Sequence, residues 1–228
     1  MTLEKTAKRQ GVWYAIYECI WIFALGGFLG VVVETSYCFL VQGIFENRSG
    51  LIYGMFNPVY GFGAVLITLC LKPLLHKKWV WIFLLSMVIG SAFEFCCSFV
   101  QQGLTGTVSW VYTNQPFNIL GRTSLGFAIA WGALGVLFIK EIYPLLHGFI
   151  LKIPRRLGVI LACFFVVFIS LDMALSAVAV QCWNQREQGI PITTSIQIEM
   201  NKRYPDSVMK VDYPNITHVD TGKVSLTD

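Results

Sequence analysis

The chain has 228 residues, of which 55% are hydrophobic and only 13% are charged. Its mean hydropathy is +0.62; soluble domains carry about 25% charged residues, so the composition excludes an ordinary soluble protein and indicates an integral membrane protein. The formal net charge of +4 does not indicate a nucleic-acid partner, because membrane insertion alone explains how the basic residues are distributed.

Five apolar stretches are long enough to cross the hydrocarbon core of a bilayer, which takes roughly 20 helical residues. In chain order they cover residues 16–41, 51–71, 79–101, 119–140 and 157–181. The sequence therefore predicts an all-α polytopic membrane protein with five transmembrane helices, between an N-terminus at 1–15 and a polar tail at 182–228.

The basic residues predict the orientation of these helices. They concentrate before the first span and in the second and fourth connections, as Lys5, Lys8, Arg9, Lys72, Lys77, Lys78, Lys140, Lys152, Arg155 and Arg156. Cytoplasmic segments carry such an excess of Lys and Arg. We therefore expect a cytoplasmic N-terminus and, after five spans, a C-terminal tail outside.

The first and second pairs of spans resemble each other. A shift of 60 residues places Glu34 over Glu94, and a shift of 71 places KPLLH at 72–76 over YPLLH at 143–147. This predicts two parallel two-helix repeats, at residues 16–75 and 79–147, followed by the fifth helix at 157–181. Such copies are related by an axis along the membrane normal.

Two glutamates occupy matching places in the predicted repeats. Glu34 and Glu94 each lie seven residues before the outer end of their span, which is about 10 Å deep at helical rise. Placing an unpaired charged side chain inside the hydrocarbon core costs about 3 kcal/mol of free energy or more. We expect both carboxylates to face a central cavity, where they share a proton or pair with a cation; the alternative is that each is neutral and hydrogen-bonded to a neighbouring helix.

The two outer loops contain helix breakers and one arginine each. Asn57-Pro58 in the first loop, and Pro116 with Asn118 in the second, predict broken or re-entrant segments because proline lacks a backbone donor. Arg48 and Arg122 can reach a glutamate or an anionic ligand group. The alternative is that they only anchor the membrane interface.

Three other acidic residues lie in or near the spans. Asp172, in the fifth span, either hydrogen-bonds across helices or contacts a ligand. Glu18 and Glu141 lie near span ends and receive no site role. The seven cysteines form no metal-binding pattern, and we predict no metal, cofactor or catalytic residue.

The polar tail has no extended apolar face. We expect that it builds no core of its own. It either folds over the membrane domain or a partner, or stays disordered.

The motifs together resemble the bacterial membrane family called putative ABC-transporter type IV. The matching residues are Gly30, Glu34-Thr35, the stretch 47–50, Tyr53-Gly54, the stretch 57–61, Glu94, the stretch 116–118, Gly121-Arg122, Trp131-Gly132, Leu171-Asp172, the stretch 204–206 and Pro214-Asn215. The resemblance implies a transport permease in a bacterial inner membrane. It also implies a separate ATPase subunit, since the chain has no GxxxxGK[ST] pattern of its own.

Three functional hypotheses follow. The first is a transporter permease component with a polar site for a small solute near the outer leaflet. Its predicted ligand-binding residues are Glu34, Glu94, Arg48, Arg122, Asn57 and Asn118, with Asp172, Tyr53 and Tyr60 as secondary residues. The acids suit a cation or an amine and the arginines suit a carboxylate or a phosphate, and the sequence does not choose between them.

The second hypothesis is a membrane-embedded enzyme acting on a lipid or lipid-linked substrate, with a glutamate as general base and an arginine holding a phosphate. The third is a non-catalytic assembly subunit whose acids serve packing alone. The sequence leaves open whether the chain forms a homo-oligomer.

Overall fold

The computed structural model describes residues 2–191 and 193–219, with side chains from residue 11 onward except that of Gln42. Eight α-helices and two short strands occur in these ranges. They are α1 Thr2–Gln42, α2 Pro58–Leu71, α3 Trp79–Thr105, β1 Thr107–Val108, α4 Leu125–Leu137, α5 Tyr143–Lys152, α6 Arg155–Glu187, α7 Ser195–Arg203, α8 Asp206–Asp212 and β2 Thr217–His218. A 3₁₀ turn, Lys72–Leu74, extends α2, and a π-helical turn, Phe138–Ile142, joins α4 to α5.

Four helical stretches in the described ranges are long and apolar enough to cross a membrane. They are Gly11–Val41 in α1, Trp79–Thr105, the continuous run Leu125–Lys152, and Arg155–Glu187. The remaining predicted span is a shorter apolar helix, Pro58–Leu74, which falls below the roughly 20 residues needed for a full crossing. The helical membrane protein is thus confirmed, with four full-length helices and one short one.

Several predicted boundaries differ from the structure. Helix α1 begins at Thr2 instead of residue 16, α2 begins at Pro58 instead of residue 51, and the helical run from Leu125 continues to Lys152 instead of ending at residue 140. Residues 119–124 form turns instead of the start of a span, because Leu120 and Gly121 have φ angles of 51° and 64°, which no α-helix contains. The third helix continues past residue 101 to Thr105, where Gly106 ends it with a φ of 70°. The fifth predicted span continues past residue 181 to Glu187, so the first residues of the predicted tail are helical.

The loop before α2, residues 43–57, returns into the body of the protein. The Asn57 side chain caps α2 by accepting a hydrogen bond from the Val59 amide at 3.0 Å, and the Asn57 amide donates to the Gly27 carbonyl at 3.3 Å. Gly27 lies fifteen residues before the end of α1, or about 22 Å along its axis. The loop therefore runs back beside the C-terminal half of α1, as a re-entrant segment does.

Helix α6 holds this loop through its side chains. Ser176 Oγ accepts from the Ile52 amide at 3.0 Å, and Asp172 Oδ1 accepts from the Tyr53 amide at 3.3 Å. Irregular backbone at membrane depth needs such partners, because lipid supplies none. The loop is consequently stabilised from both sides, by α1 and by α6.

Helix α1 packs mainly on α2, and α3 packs mainly on α4. The closest contacts of the two pairs occur at matching positions, at the shifts of 60 and 71 residues. The contact of Phe23 with Gly61 in the first pair matches that of Phe83 with Gly132 in the second. In the same way, Gly26 with Ala64 matches Ser86 with Gly135, and Gly30 with Tyr60 matches Gly90 with Trp131. Small residues therefore allow the same close approach in both pairs.

The tail folds over the membrane-embedded part as far as Val219. Met209 in α8 is completely buried against a cluster on α6 that includes Trp183, and β2 pairs antiparallel with β1. Arg186, near the end of α6, donates to Asp206 Oδ1 at 2.7 Å and to the Tyr204 carbonyl at 3.0 Å. The buried residues of the tail thus pack against α6 and not against a core of the tail alone. Of the two predicted alternatives, folded over the membrane domain or disordered, the tail is folded.

Candidate functional site

A cavity of about 890 Å³, here called the main cavity, lies among the two helix pairs, α6 and the tail. Its volume falls within the range of roughly 300–1,000 Å³ that is usual for small-molecule sites. Four of the six predicted ligand-binding residues line it: Glu34, Glu94, Arg48 and Asn57. The structure therefore brings the two glutamates to one cavity.

Glu34 lies in a group of charged and polar side chains at the loop before α2. One of its carboxylate oxygens accepts a hydrogen bond from the Tyr60 hydroxyl, and the other lies 3.6 Å from Arg48 Nη1. Arg48 Nη2 lies 2.8 Å from Glu46 Oε2, while Asn57 Nδ2 donates to the Arg48 carbonyl at 3.2 Å. Arg48 is thus shared between two carboxylates, and Asn57 positions its backbone.

Glu94 has different surroundings although it lines the same cavity. It is 6% exposed, and its Oε1 accepts from the Tyr112 hydroxyl at 3.0 Å. Thr123 and Trp131 lie beside the carboxylate, but within the described part of the chain Oε2 has no partner with hydrogen-bond geometry. Burial, followed by the nearby Glu94, raises the pKa of Tyr112, so Tyr112 remains a neutral hydrogen-bond donor.

The two glutamates also differ in their distance from the helix ends. Glu34 lies eight residues before the end of α1 and Glu94 eleven residues before the end of α3. Helix α3 thus extends about one helical turn further beyond its glutamate than α1 does, since it continues past residue 101 to Thr105.

Arg122 is outside the lining of the main cavity. Its guanidinium donates to Ser98 Oγ at 2.9 Å and to Gln102 Oε1, and it lies over the Phe99 ring at 5.6 Å from the ring centre. Arg122 therefore fixes the second outer loop to α3, whereas Arg48 reaches a glutamate.

Asn118 organises the second outer loop. Its Oδ1 accepts from the Gly121 amide at 3.0 Å, and its Nδ2 donates to the carbonyls of Thr113 and Gln115 at 3.1 and 2.9 Å. All donors and acceptors of the amide group are thereby used within the loop. Asn118, like Arg122, is placed to shape the loop.

The three predicted secondary residues have three different positions. Tyr60 lines the main cavity, whereas Asp172 supports the loop and Tyr53 contacts the tail, its hydroxyl lying 3.0 Å from that of Tyr204. Burial, followed by this hydrogen bond, raises the pKa of Tyr204 to about 12. Tyr53 and Asp172 therefore lie outside the lining of the main cavity, where they connect the loop before α2 to α6 and to the tail.

Sequence reasoning missed the part of the cavity that comes from Tyr112 and the tail. Tyr112 follows β1 in a segment without a counterpart in the first repeat, and Asp212 and Tyr213 lie far along the chain, yet all three line the cavity. Burial raises the pKa of Asp212. No local pattern in the sequence signals these contacts.

A second polar group, at the opposite end of α1, was also missed. Glu18 is 4% exposed, and its carboxylate lies 2.9 Å from Lys72 Nζ, 2.8 Å from the Tyr143 hydroxyl and 2.6 Å from His147 Nδ1. Glu18 therefore has a structural role that its place near a span end did not suggest. A signal existed, because Lys72 and Tyr143 are matching positions of the KPLLH and YPLLH stretches.

Comparison with known proteins identifies one family. The sequence model of a family described as putative ABC-transporter type IV matches residues 21–177. The matched range contains Glu34, Glu94, Arg48 and Asp172, and it ends within α6, before the tail. No curated protein and no solved structure matches the chain.

Proposed function

Because the chain belongs to the putative ABC-transporter type IV family, we propose that it is the permease component of a membrane transporter and that the main cavity is its solute site. The observation that carries this proposal is the buried Glu94 in the cavity wall, with a carboxylate oxygen that no described residue satisfies. We place the protein in a bacterial inner membrane, with its N-terminus in the cytoplasm, its tail outside and the cavity near the outer leaflet.

The free-energy cost of placing the Glu34 and Glu94 carboxylates in the membrane region supports a solute site. A carboxylate within the membrane region is expensive, and such residues usually mark a pathway or a binding site. Here Glu34 and Glu94 line one cavity together with the irregular loop around Arg48. Irregular backbone beside a cavity is the arrangement in which transporters bind solutes.

An internal duplication explains why the cavity lies where it does. The matched contacts, such as Gly30 with Tyr60 and Gly90 with Trp131, support two copies of one helix pair. A cavity between two such copies receives the glutamate of each. The copies have diverged, since Arg48 pairs with Glu34 whereas Tyr112 binds Glu94, and this makes the site asymmetric.

A separate ATPase subunit would supply the energy. The 228 residues contain no GxxxxGK[ST] segment, so ATP hydrolysis through a P-loop requires another chain. The segments that we assign to the cytoplasmic side between helices are short, since only residues 75–78 and 153–154 are outside helical turns. Docking of an ATPase would therefore use helix ends more than loops.

The experiment compares cells that lack the gene with cells complemented by the wild type or by the double variant Glu34→Gln/Glu94→Gln. Metabolites and lipids are quantified in the cells and in the medium. We expect at least one solute to be redistributed between cells and medium in the deletion strain, to be restored by the wild type, and to remain redistributed with the double variant. Glu141→Gln, an exposed acid outside the main cavity, is the matched control.

Two results would contradict the proposal. Full complementation by the double variant, at equal protein level, would show that the cavity acids have no part in transport and would favour the assembly subunit. A chemically altered lipid species that depends on the glutamates, without any redistributed solute, would favour the membrane enzyme.

A further inference from the structure

The charges around the main cavity discriminate between the two classes of solute that the sequence leaves open. Its described lining contains three acids, Glu34, Glu94 and Asp212, and a single base, Arg48. Arg48 already lies against Glu34 and Glu46, at 3.6 and 2.8 Å. Neither outer-loop arginine is therefore available for an anionic solute, since Arg122 is used by Ser98 and Gln102.

Glu94 is the most buried of the three lining acids, and it has no basic partner among the described residues. Its Oε1 accepts from the neutral Tyr112, and its Oε2 is buried without a partner of hydrogen-bond geometry in the described ranges; the other groups beside the carboxylate, Thr123 and Trp131, are uncharged. An unsatisfied buried oxygen of this kind is costly. A positively charged group in the cavity would remove that cost, whereas a negative group would increase it.

The remaining walls suit an apolar body. The rings of Tyr60, Phe127 and Trp131 line the cavity near the acids, and aliphatic side chains such as Leu134 and Val180 complete it. Aromatic faces attract cations, and more strongly when water is excluded. The lining thus combines a counter-ion, aromatic faces and an apolar surface.

We propose that the main cavity binds a monovalent organic cation with an apolar body, and that Glu94 is its counter-ion. This inference rests on the proposed function, in which the cavity is the solute site. It assigns Arg48 to Glu34 as an internal partner, which leaves Glu94 and Asp212 for the solute, and of these two Glu94 is the buried one.

The test uses two probes of nearly the same size and shape but opposite charge, tetraphenylphosphonium and tetraphenylborate. Binding to the purified full-length protein is measured by equilibrium dialysis in detergent, against protein-free micelles. We expect the wild type to bind the phosphonium at least tenfold more tightly than the borate. Equal binding of the two ions, tighter binding of the borate, or binding of neither would overturn the proposal, and this comparison depends on no variant.

Three variants locate the binding site, after size-exclusion chromatography has shown that each is folded. Glu94→Gln should weaken phosphonium binding at least tenfold, and Glu141→Gln should leave it unchanged. Arg48→Gln should keep or strengthen phosphonium binding, because it frees the charge of Glu34. A tenfold loss with Arg48→Gln, or none with Glu94→Gln, would contradict the assignment of the counter-ion.

The outcomes separate this inference from the proposed function. Borate binding that is lost with Arg48→Gln would reject the cation while keeping the cavity as a solute site. Binding of neither ion, combined with full complementation by Glu34→Gln/Glu94→Gln, would reject both. Displacement of the phosphonium by phosphatidylethanolamine, but not by phosphatidylglycerol, would identify a lipid amine as the source of the cation; no displacement by either would indicate a free organic cation.

Discussion

At the scale of single residues, the buried acids of this protein serve different purposes. Glu18 is surrounded by Lys72, Tyr143 and His147, so its charge is fully compensated. Glu94 has one neutral donor and an unsatisfied oxygen. The arrangement around Glu18 stabilises the fold, because the protein itself supplies the partners of this buried charge. Glu94 lacks such partners, so its carboxylate can still interact with a ligand.

The role of Glu18 predicts the effect of Glu18→Gln on stability. The variant keeps the shape of the side chain but loses its charge-assisted hydrogen bonds, each worth about 1.5–3 kcal/mol when buried. Because the Lys72 side chain is 44% exposed, we expect a loss of about 1–3 kcal/mol in the free energy of unfolding, seen as a lower melting temperature in detergent. Glu141→Gln is the control, and a similar melting temperature for the two variants would reject the structural role of Glu18.

At the scale of elements, the protein is built from two tightly packed helix pairs. Each pair has a close approach at a glycine, and a Cβ atom added to Gly30 or Gly90 would overlap the side chain of Tyr60 or Trp131. Tyr60 in turn binds Glu34. Packing between the helices and the geometry of the main cavity are therefore coupled through these aromatic residues.

This coupling predicts that Gly30→Ala and Gly90→Ala are destabilising. Each added methyl group must displace an aromatic ring, and such overpacking typically costs about 1–3 kcal/mol. Gly148→Ala is a matched control in α5, since nothing lies within 4 Å of its added Cβ, and better helix propensity makes it neutral or stabilising by up to about 1 kcal/mol. Thermal unfolding in detergent measures all three, and equal stability of Gly30→Ala and Gly148→Ala would contradict the close packing.

At the scale of the whole molecule, the loop at residues 43–57 and α2 run together beside α1. The Asn57 amide contacts the Gly27 carbonyl at the beginning of α2, and Lys72 contacts Glu18 at its other end. The chain therefore returns along α1 over nearly its whole apolar length, half as irregular loop and half as helix. We infer that this segment completes a fifth crossing, which places the two ends of the chain on opposite sides.

Site-directed labelling tests this topology. In a variant without the seven native cysteines, single cysteines replace Lys77, Gln115, Arg203 or Phe45, which is exposed just after α1, and intact cells are treated with a membrane-impermeant maleimide. We expect positions 45, 115 and 203 to react from outside and position 77 only after permeabilisation. Reaction of positions 45 and 77 from the same side would show that the loop and α2 do not cross the membrane.

The sequence by itself determined the class of the protein, the positions of the apolar helices, the break at Asn57-Pro58 and the family. These properties depend on hydropathy and on short motifs, which are local and can be read along the chain. The correspondence of Glu34 with Glu94 was also visible, because a shift of 60 residues can be read from the sequence alone.

Only the tertiary structure decided which of the predicted residues meet. Arg48 reaches Glu34 while Arg122 binds Ser98, although the two arginines occupy similar loops. Likewise, residues 212–216 of the tail line the same cavity as Glu34 and Glu94, which lie more than a hundred residues earlier in the chain. Such contacts depend on how helices rotate about their axes and on how irregular loops fold back, and neither follows from local periodicity.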